Sequence, residues 1–345
     1  MKKSLFKKLE IASLIVGLGL LVYLIKQTGL DEVVRYFRLL GWGFGLILAL
    51  SSVRNLMRAG SWYLSIEPAH RSIGFWPLIN VMLAGEAIKY LTATGPLLGE
   101  PAKAAMVRRQ IPMLHGFSSL VVENLIYNLS VALFMFAGIP ALATLVEVPG
   151  RLKLAGYIFS AVTVFVLAVA WLAIKGRWFV FARALERFAR SREPRSERMG
   201  TAISRTRSLE ENIYLFYEKR RGAFYLILAL NMACHLINVI EVYVILALMG
   251  LPASISAGFV VESVTKMINA AFFFVPTRAG VYESGNEFVL RALGMSAGAG
   301  IALAIIRKLR AFVWTAYGLA VILALAVKDR RGAIDEGIDK TAQKL

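Results

Sequence analysis

Two apolar stretches of this sequence are broken by proline at points flanked by charge, and these breaks limit the folds open to the chain. The first is Glu86-Ala-Ile-Lys-Tyr-Leu-Thr-Ala-Thr-Gly-Pro-Leu-Leu-Gly-Glu-Pro-Ala-Lys103. The second begins at Glu262-Ser-Val-Thr-Lys266, continues through an apolar run, and reaches Val275-Pro-Thr-Arg-Ala-Gly-Val-Tyr-Glu283. In each, a Glu and a Lys lead into the apolar segment, a Pro breaks it, and a Gly and a Glu follow. Proline removes a backbone N–H and clashes with the preceding turn. In hydrocarbon, broken backbone is tolerated only where it is buried in protein or lines a cavity.

The surroundings of the breaks are those of a membrane protein. Of 345 residues, 58% are apolar, and the mean hydropathy is +0.63. That excludes an ordinary soluble domain and suits a polytopic membrane protein. The net charge of +18 would suit a nucleic-acid binder, but the basic residues lie mainly between apolar runs. Anionic lipid is therefore the expected partner, and nucleic acid is not. A single cysteine, Cys234, excludes an intrachain disulfide and a Cys-based metal cluster. His70, His115 and His235 show no ligand spacing, so no metal is expected. His115 and His235 are read as packing histidines.

Six full spans are expected: Ile11–Ile25 after a basic N-terminus, Leu39–Leu64, Phe117–Phe136, Leu154–Ile174, Ala223–Met249 and Ile301–Val327. Arg54 and Arg58 in the second are read first as snorkelling toward headgroups, with a role in a lipid path as the alternative. The polar section 175–222 holds 13 Lys/Arg against 6 Asp/Glu, which assigns it to the cytoplasm. Within it, Trp178–Arg190 reads as an interfacial helix. Ser208–Lys219 reads as a helix opened by a Ser208/Glu211 capping box. The polar tail, 328–345, is expected to be cytoplasmic and frayed, and the N-terminus cytoplasmic as well.

The same charge rule folds the two broken stretches back on themselves. The turn at 67–75 comes two crossings after a cytoplasmic N-terminus and the loop at 103–112 carries Lys103, Arg108 and Arg109, so residues 76–102 enter and leave on one face, with a tip at Gly95–Gly99. The helix is expected to restart at Glu100-Pro101. Residues 254–293 must enter and leave from the opposite face, with a tip at Pro276–Gly280. The expected fold is thus all-α, with six full transmembrane helices plus two re-entrant helical hairpins in inverted-topology repeats, about 76–139 and 254–327. The whole chain, 1–345, forms one integral membrane domain.

Charges within these segments are costly, roughly 2.5–3.5 kcal/mol each near a helix centre. Glu86, Lys89, Glu100, Lys103, Glu123, Arg278, Glu283, Arg307 and Arg310 are the candidate residues of a headgroup path. Helix N-termini at the breaks attract anions, and the arginines add fork-shaped phosphate donors. A structural ion-pair network holding the hairpins together explains the same residues. Sequence leaves open whether Glu100 and Glu283 meet substrate, bind protons or only brace the fold. No Ser/His/Asp order, P-loop or acidic Mg²⁺ cluster points to an enzyme, and no cofactor is implied.

Gly95-Pro-Leu-Leu-Gly-Glu100 followed by basic residues, and Pro276-x-x-x-Gly280-x-x-Glu283 followed by Gly294 and Arg307, resemble motifs of a known family. It comprises the flippase-like proteins named for the transmembrane region of lysylphosphatidylglycerol synthase, and the likeness covers roughly residues 10–327. The resemblance implies lipid translocation between leaflets of the bacterial cytoplasmic membrane, by way of Glu100, Arg278, Glu283 and Arg307. Family lipids include phospholipids, polyprenol-linked sugars and hopanoids. The synthase's soluble domain has no counterpart here, so synthase activity is not implied. Thr277-Arg278 has no clear match in the family pattern. The resulting expectation is an inner-membrane lipid transporter, with a second copy or a lipid-synthesis enzyme as conceivable protein partners. Its rivals are a membrane-embedded enzyme of lipid or lipid-linked sugar metabolism and a non-transporting assembly protein.

Overall fold

The computed structural model describes residues 30–91, 95–145, 150–190, 197–272 and 280–342. The expected first span, Ile11–Ile25, lies outside these residues, as do Pro276 and Arg278. Every regular element among the described residues is helical.

A short helix α1 (Leu30–Leu40) is followed by α2 (Gly43–Ser65), then by a single 3₁₀ turn at Pro68–His70. The broken stretch forms α3 (Phe75–Leu91) and α4 (Gly95–Met106), and α5 (Met113–Leu145) follows. Next come α6 (Gly150–Lys175), α7 (Val180–Arg190) and α8 (Glu197–Lys219). The second half runs α9 (Arg221–Leu248), α10 (Ile255–Ala271), α11 (Val281–Ala292) and α12 (Ala297–Ala342). Three stretches among the described residues are long and apolar enough to cross a membrane: Met113–Gly138, Arg221–Leu248 and Ala297–Val327. Val34–Leu40 and Gly43–Ser65, bent by 76° at the break between them, add a fourth if they act as one span.

The two halves are built alike. Each has a 17-residue helix, a break and a 12-residue helix, followed by a long helix. At 1.5 Å per residue the 12-residue helices are about 18 Å long, well short of a hydrocarbon core about 30 Å thick. Packing partners also exchange between the halves. α3 packs on α4 and on α12, while α10 packs on α11 and on α5. α2 meets α3, α5 and α12, and α9 meets α10, α12 and α5; α2 and α9 pack on each other. Every packing pair within α2–α5 and α9–α12 therefore has a counterpart when the two sets are interchanged.

Glycine permits the closest of these approaches. A Cβ at Gly318 of α12 would run into the Leu83 carbonyl of α3, and one at Gly138 of α5 would run into Ser263 of α10. Small residues let helix backbones meet where no hydrophobic force drives association. The apolar core has separate centres. Ile47, Ile245, Leu246, Val260 and Leu290 pack together in one, and Trp62, Ile66, Leu78 and Leu120 in another.

Several local expectations change. The helix after the first break resumes at Gly95, so Pro101 lies inside α4 and Glu100 is not at its N-terminus. Pro96 falls in the first turn, where its missing N–H has no partner to lose. Ser208 is no cap, because α8 already starts at Glu197 and the Ser208 hydroxyl donates to the Ser204 carbonyl. The tail beyond residue 328 continues α12 as helix to Ala342 instead of fraying. α7 packs on α8 through Ala182 and Ala189, leaving Trp178, Phe181 and Phe188 exposed. Glu210 closes the N-terminus of α7, accepting the Phe181 and Ala182 N–H groups at 2.8 and 3.0 Å.

Candidate functional site

The first hairpin holds an alternating chain of charges. Lys103 Nζ lies 2.6 Å from Glu86 and 3.2 Å from Glu100. Lys89 Nζ closes the ring at 3.8 Å from Glu86 and 3.6 Å from Glu100. Lys103 is buried, its stem packed where a Gly85 side chain would otherwise be. Glu86, Lys89, Glu100 and Lys103, all expected from sequence, thus come together, and their charges are matched two against two.

Glu123 is not part of that ring. Buried on α5, it pairs with Arg58 at 3.0 Å. Arg58 also donates to Asn231 Oδ1 at 3.4 Å and stacks over the Tyr127 ring at 4.0 Å. Arg54 turns inward as well, donating to Asn238 at 3.2 Å. The snorkelling reading of both arginines is therefore overturned. The reason is that α2 packs on α9, which presents Asn231 and Asn238 to them.

The second set of charges is deeper. Arg307 donates to Glu241 at 3.2 Å and to Glu262 at 2.6 Å, and Arg310 pairs with Glu241. Glu262 also takes Lys266 at 3.1 Å and the Asn238 amide at 3.0 Å. Glu283, fully buried, accepts the Gly280 N–H at 2.8 Å and pairs with Lys308 at 2.5 Å. It caps the N-terminus of α11 itself, with Gly280 at φ 79°, a conformation that suits glycine. Its dipole end is thus already occupied by a carboxylate.

These residues surround a cavity of about 200 Å³. Among the described residues, Arg54, Lys266, Arg307, Lys308 and Arg310 line it, with Glu262 as the one lining carboxylate. Tyr90 of the first hairpin and Tyr282 of the second also reach it, so it lies where both hairpins meet. Among the described residues, Arg307 Nη1 and Thr265 Oγ1 have no hydrogen-bond partner, and no carboxylate pairs with Arg54. A buried donor without a partner costs about 1–3 kcal/mol, more when charged. An acceptor entering the cavity would relieve that penalty.

Of the residues expected from sequence, Arg307 and Arg310 line this cavity and Glu283 braces it; Glu86, Lys89, Glu100, Lys103 and Glu123 belong to the other clusters. Arg278 lies outside the described residues. Glu241, Glu262, Lys266 and Lys308 are not among the path residues expected from sequence, and Arg54 is expected there only as the second of two readings. A signal was present for Glu241: Asn231, His235, Asn238 and Glu241 recur at helical spacing along an otherwise apolar α9.

Apolar spanning helices around a buried ionic centre define an all-helical integral membrane protein. The family model for the lysylphosphatidylglycerol synthase transmembrane region matches residues 11–338, and the chain belongs to that family. No curated protein and no solved structure matches it.

Proposed function

We propose that this protein moves a lipid with an anionic headgroup between the leaflets of the bacterial cytoplasmic membrane. The headgroup passes through the cavity while the acyl chains stay in lipid. The excess of cations around the cavity at the meeting of the two hairpins carries this reading. Arg54 and the unsatisfied edge of Arg307 are its first contacts. Fork-shaped guanidinium donors suit phosphate.

In this reading the chain has six full spans, and the two hairpins are re-entrant, entering from opposite faces as inverted repeats. The exchanged packing pairs and the short α4 and α11 support it. Both termini are cytoplasmic, and the exposed aromatic face of α7 rests on the inner leaflet. The ring of Glu86, Lys89, Glu100 and Lys103 and the Glu283–Lys308 pair brace the hairpins rather than bind the headgroup. No nucleotide or metal drives the movement, which runs downhill or is coupled to ions. The protein performs no bond chemistry on the lipid.

The test is leaflet exchange in liposomes with headgroup-labelled lipids, comparing wild type with Arg54→Ala and Glu100→Gln. Losing an ionic hydrogen bond of about 1.5–3 kcal/mol slows exchange of an anionic lipid roughly tenfold or more in Arg54→Ala. Zwitterionic lipid is exchanged slowly by both. Equal exchange by wild type and Arg54→Ala for every anionic lipid would remove the headgroup role of the cavity.

A further inference from the structure

We propose a second site, for a divalent d-block cation of the zinc type, formed by Glu67, His70 and His115 at the base of the first hairpin. The three residues lie 45 or more positions apart at their extremes, yet their ligand atoms all fall within 4.8 Å of one another. Glu67 Oε2 is 4.0 Å from His70 Nε2 and 3.8 Å from His115 Nδ1. The two imidazole rings stand 3.8 Å apart at 39°.

The backbone prepares this arrangement. Glu67 is the N-cap of the 3₁₀ turn, and its carbonyl accepts the His70 N–H at 2.9 Å. Pro68 fixes the first step of that turn, so Glu67 and His70 project to the same side. His115 comes from the first turn of α5, on the far side of the hairpin. The loops already touch, because the Ser72 hydroxyl donates to the Gln110 carbonyl. In tetrahedral coordination at about 2.0–2.2 Å, ligand atoms sit roughly 3.3–3.5 Å apart. The present separations, up to 4.8 Å, need to contract by roughly 0.3–1.5 Å, within reach of side-chain rotation on partly exposed residues.

Two imidazoles and a carboxylate suit zinc and its neighbours rather than magnesium or calcium, which prefer all-oxygen sets. Three protein ligands leave a fourth position for water. All three side chains are partly exposed, at 59% for Glu67, 33% for His70 and 32% for His115, so a cation has an entry path. Arg71 and Arg220 stand close by and oppose a cation. They are engaged, however: Arg71 donates to the Ile66 carbonyl and stacks on Tyr63, and Arg220 donates to the Leu64 and Ile66 carbonyls.

A bound cation would join the loop entering α3 to the helix that follows α4, fixing both ends of the hairpin at once. The site is thus a clamp on the hairpin, separate from the cavity and independent of what passes through it.

The experiment uses the full chain, purified in detergent with any polyhistidine tag removed, and Zn²⁺ as the probe. Equilibrium dialysis with metal analysis should give one Zn²⁺ per chain. Glu67→Ala, His70→Ala and His115→Ala should each weaken binding by about tenfold or more, as loss of a supporting group does at known metal sites. Zn²⁺ should also slow hydrogen exchange in residues 66–75 and 107–116 of wild type, and not in the variants. His115→Gln, which keeps the side chain's size, guards against a folding defect in the alanine variant. Absence of stoichiometric Zn²⁺, or binding that survives in any of the three alanine variants, overturns the site.

Discussion

Arg58 and Glu123 pair at 3.0 Å across the contact between α2 and α5. Their counterpart in the other half, between α9 and α12, is Glu241 with Arg307 at 3.2 Å, with the signs reversed. Glu123 and Arg307 are each the eleventh residue of their helix. Arg58 and Glu123, 16% and 3% exposed, have no other ion-pair partner among the described residues, so removing either leaves a largely buried charge without one, whereas Arg307 keeps Glu262 and Glu241 keeps Arg310. Arg58→Met and Glu123→Gln should each lower stability by about 3–5 kcal/mol. The swap Arg58→Glu with Glu123→Arg should recover part of it. Melting followed by size-exclusion chromatography in detergent measures this, and single variants as stable as wild type would contradict the pairing.

The close approaches at Gly318 and Gly138 make a matched steric prediction. Leucine at either position must push a neighbouring helix away, α3 from Gly318 and α10 from Gly138. Overpacking costs about 1–3 kcal/mol in well-packed cores. Gly45, with nothing near its Cβ direction, is the control. Gly318→Leu and Gly138→Leu should lower the melting temperature while Gly45→Leu leaves it unchanged. Equal tolerance at all three would mean the helices do not meet as described.

The all-helical class and the places where helices break were legible because proline and glycine act locally. Gly280 and Glu283 mark the start of α11 by backbone geometry alone, and the structure keeps that start. Gly95-Pro96 marks a boundary equally well, but which side of it the helix resumes depends on packing against α3, not on local chemistry. Pairing was not legible. Arg54 and Arg58 turn inward because α9 faces them with asparagines, and no property of α2 reveals that. His70 and His115 looked scattered because loop closure, not spacing, brings their rings together; His115, 32% exposed, packs on His70 rather than in an apolar core. His235, by contrast, is buried, shares a 3.0 Å hydrogen bond with Ser130 and packs on Phe134, as a packing histidine should.

The turn before α7 gives a pH prediction. Arg177, at φ 47°, forms two hydrogen bonds to Glu218 of α8. The bond from Arg177 holds the Glu218 carboxyl below its ordinary value of 4.5. A carboxyl depressed by folding adds stability above its unfolded value and loses it as pH falls through the folded one. The turn should therefore stay docked at neutral pH and loosen below about pH 4.5. Trp178, next to Arg177, reports this through its fluorescence. Glu218→Gln should show the loosened signal already at pH 7, with no further acid step. A step of the same size in the variant would assign it to other groups. Both residues are exposed, so the effect is local.

Glu283 makes two contacts, and each predicts a different loss. It accepts the Gly280 N–H with one oxygen and faces Lys308 with the other. Glutamine at this position still caps the helix, since a capping box accepts Glu or Gln. It cannot balance Lys308. Lys308 is partly exposed to the cavity, so the cost of Glu283→Gln should be at the low end for an unpaired charge, about 1–3 kcal/mol. Glu283→Ala loses the cap as well and should fall by about 1 kcal/mol more. Combining Glu283→Gln with Lys308→Met removes the stranded cation and should restore most of the wild-type melting temperature. That order, alanine below glutamine below the double variant, is what a bracing residue produces. A glutamine variant with wild-type stability and changed lipid exchange would instead make Glu283 a group that meets the headgroup.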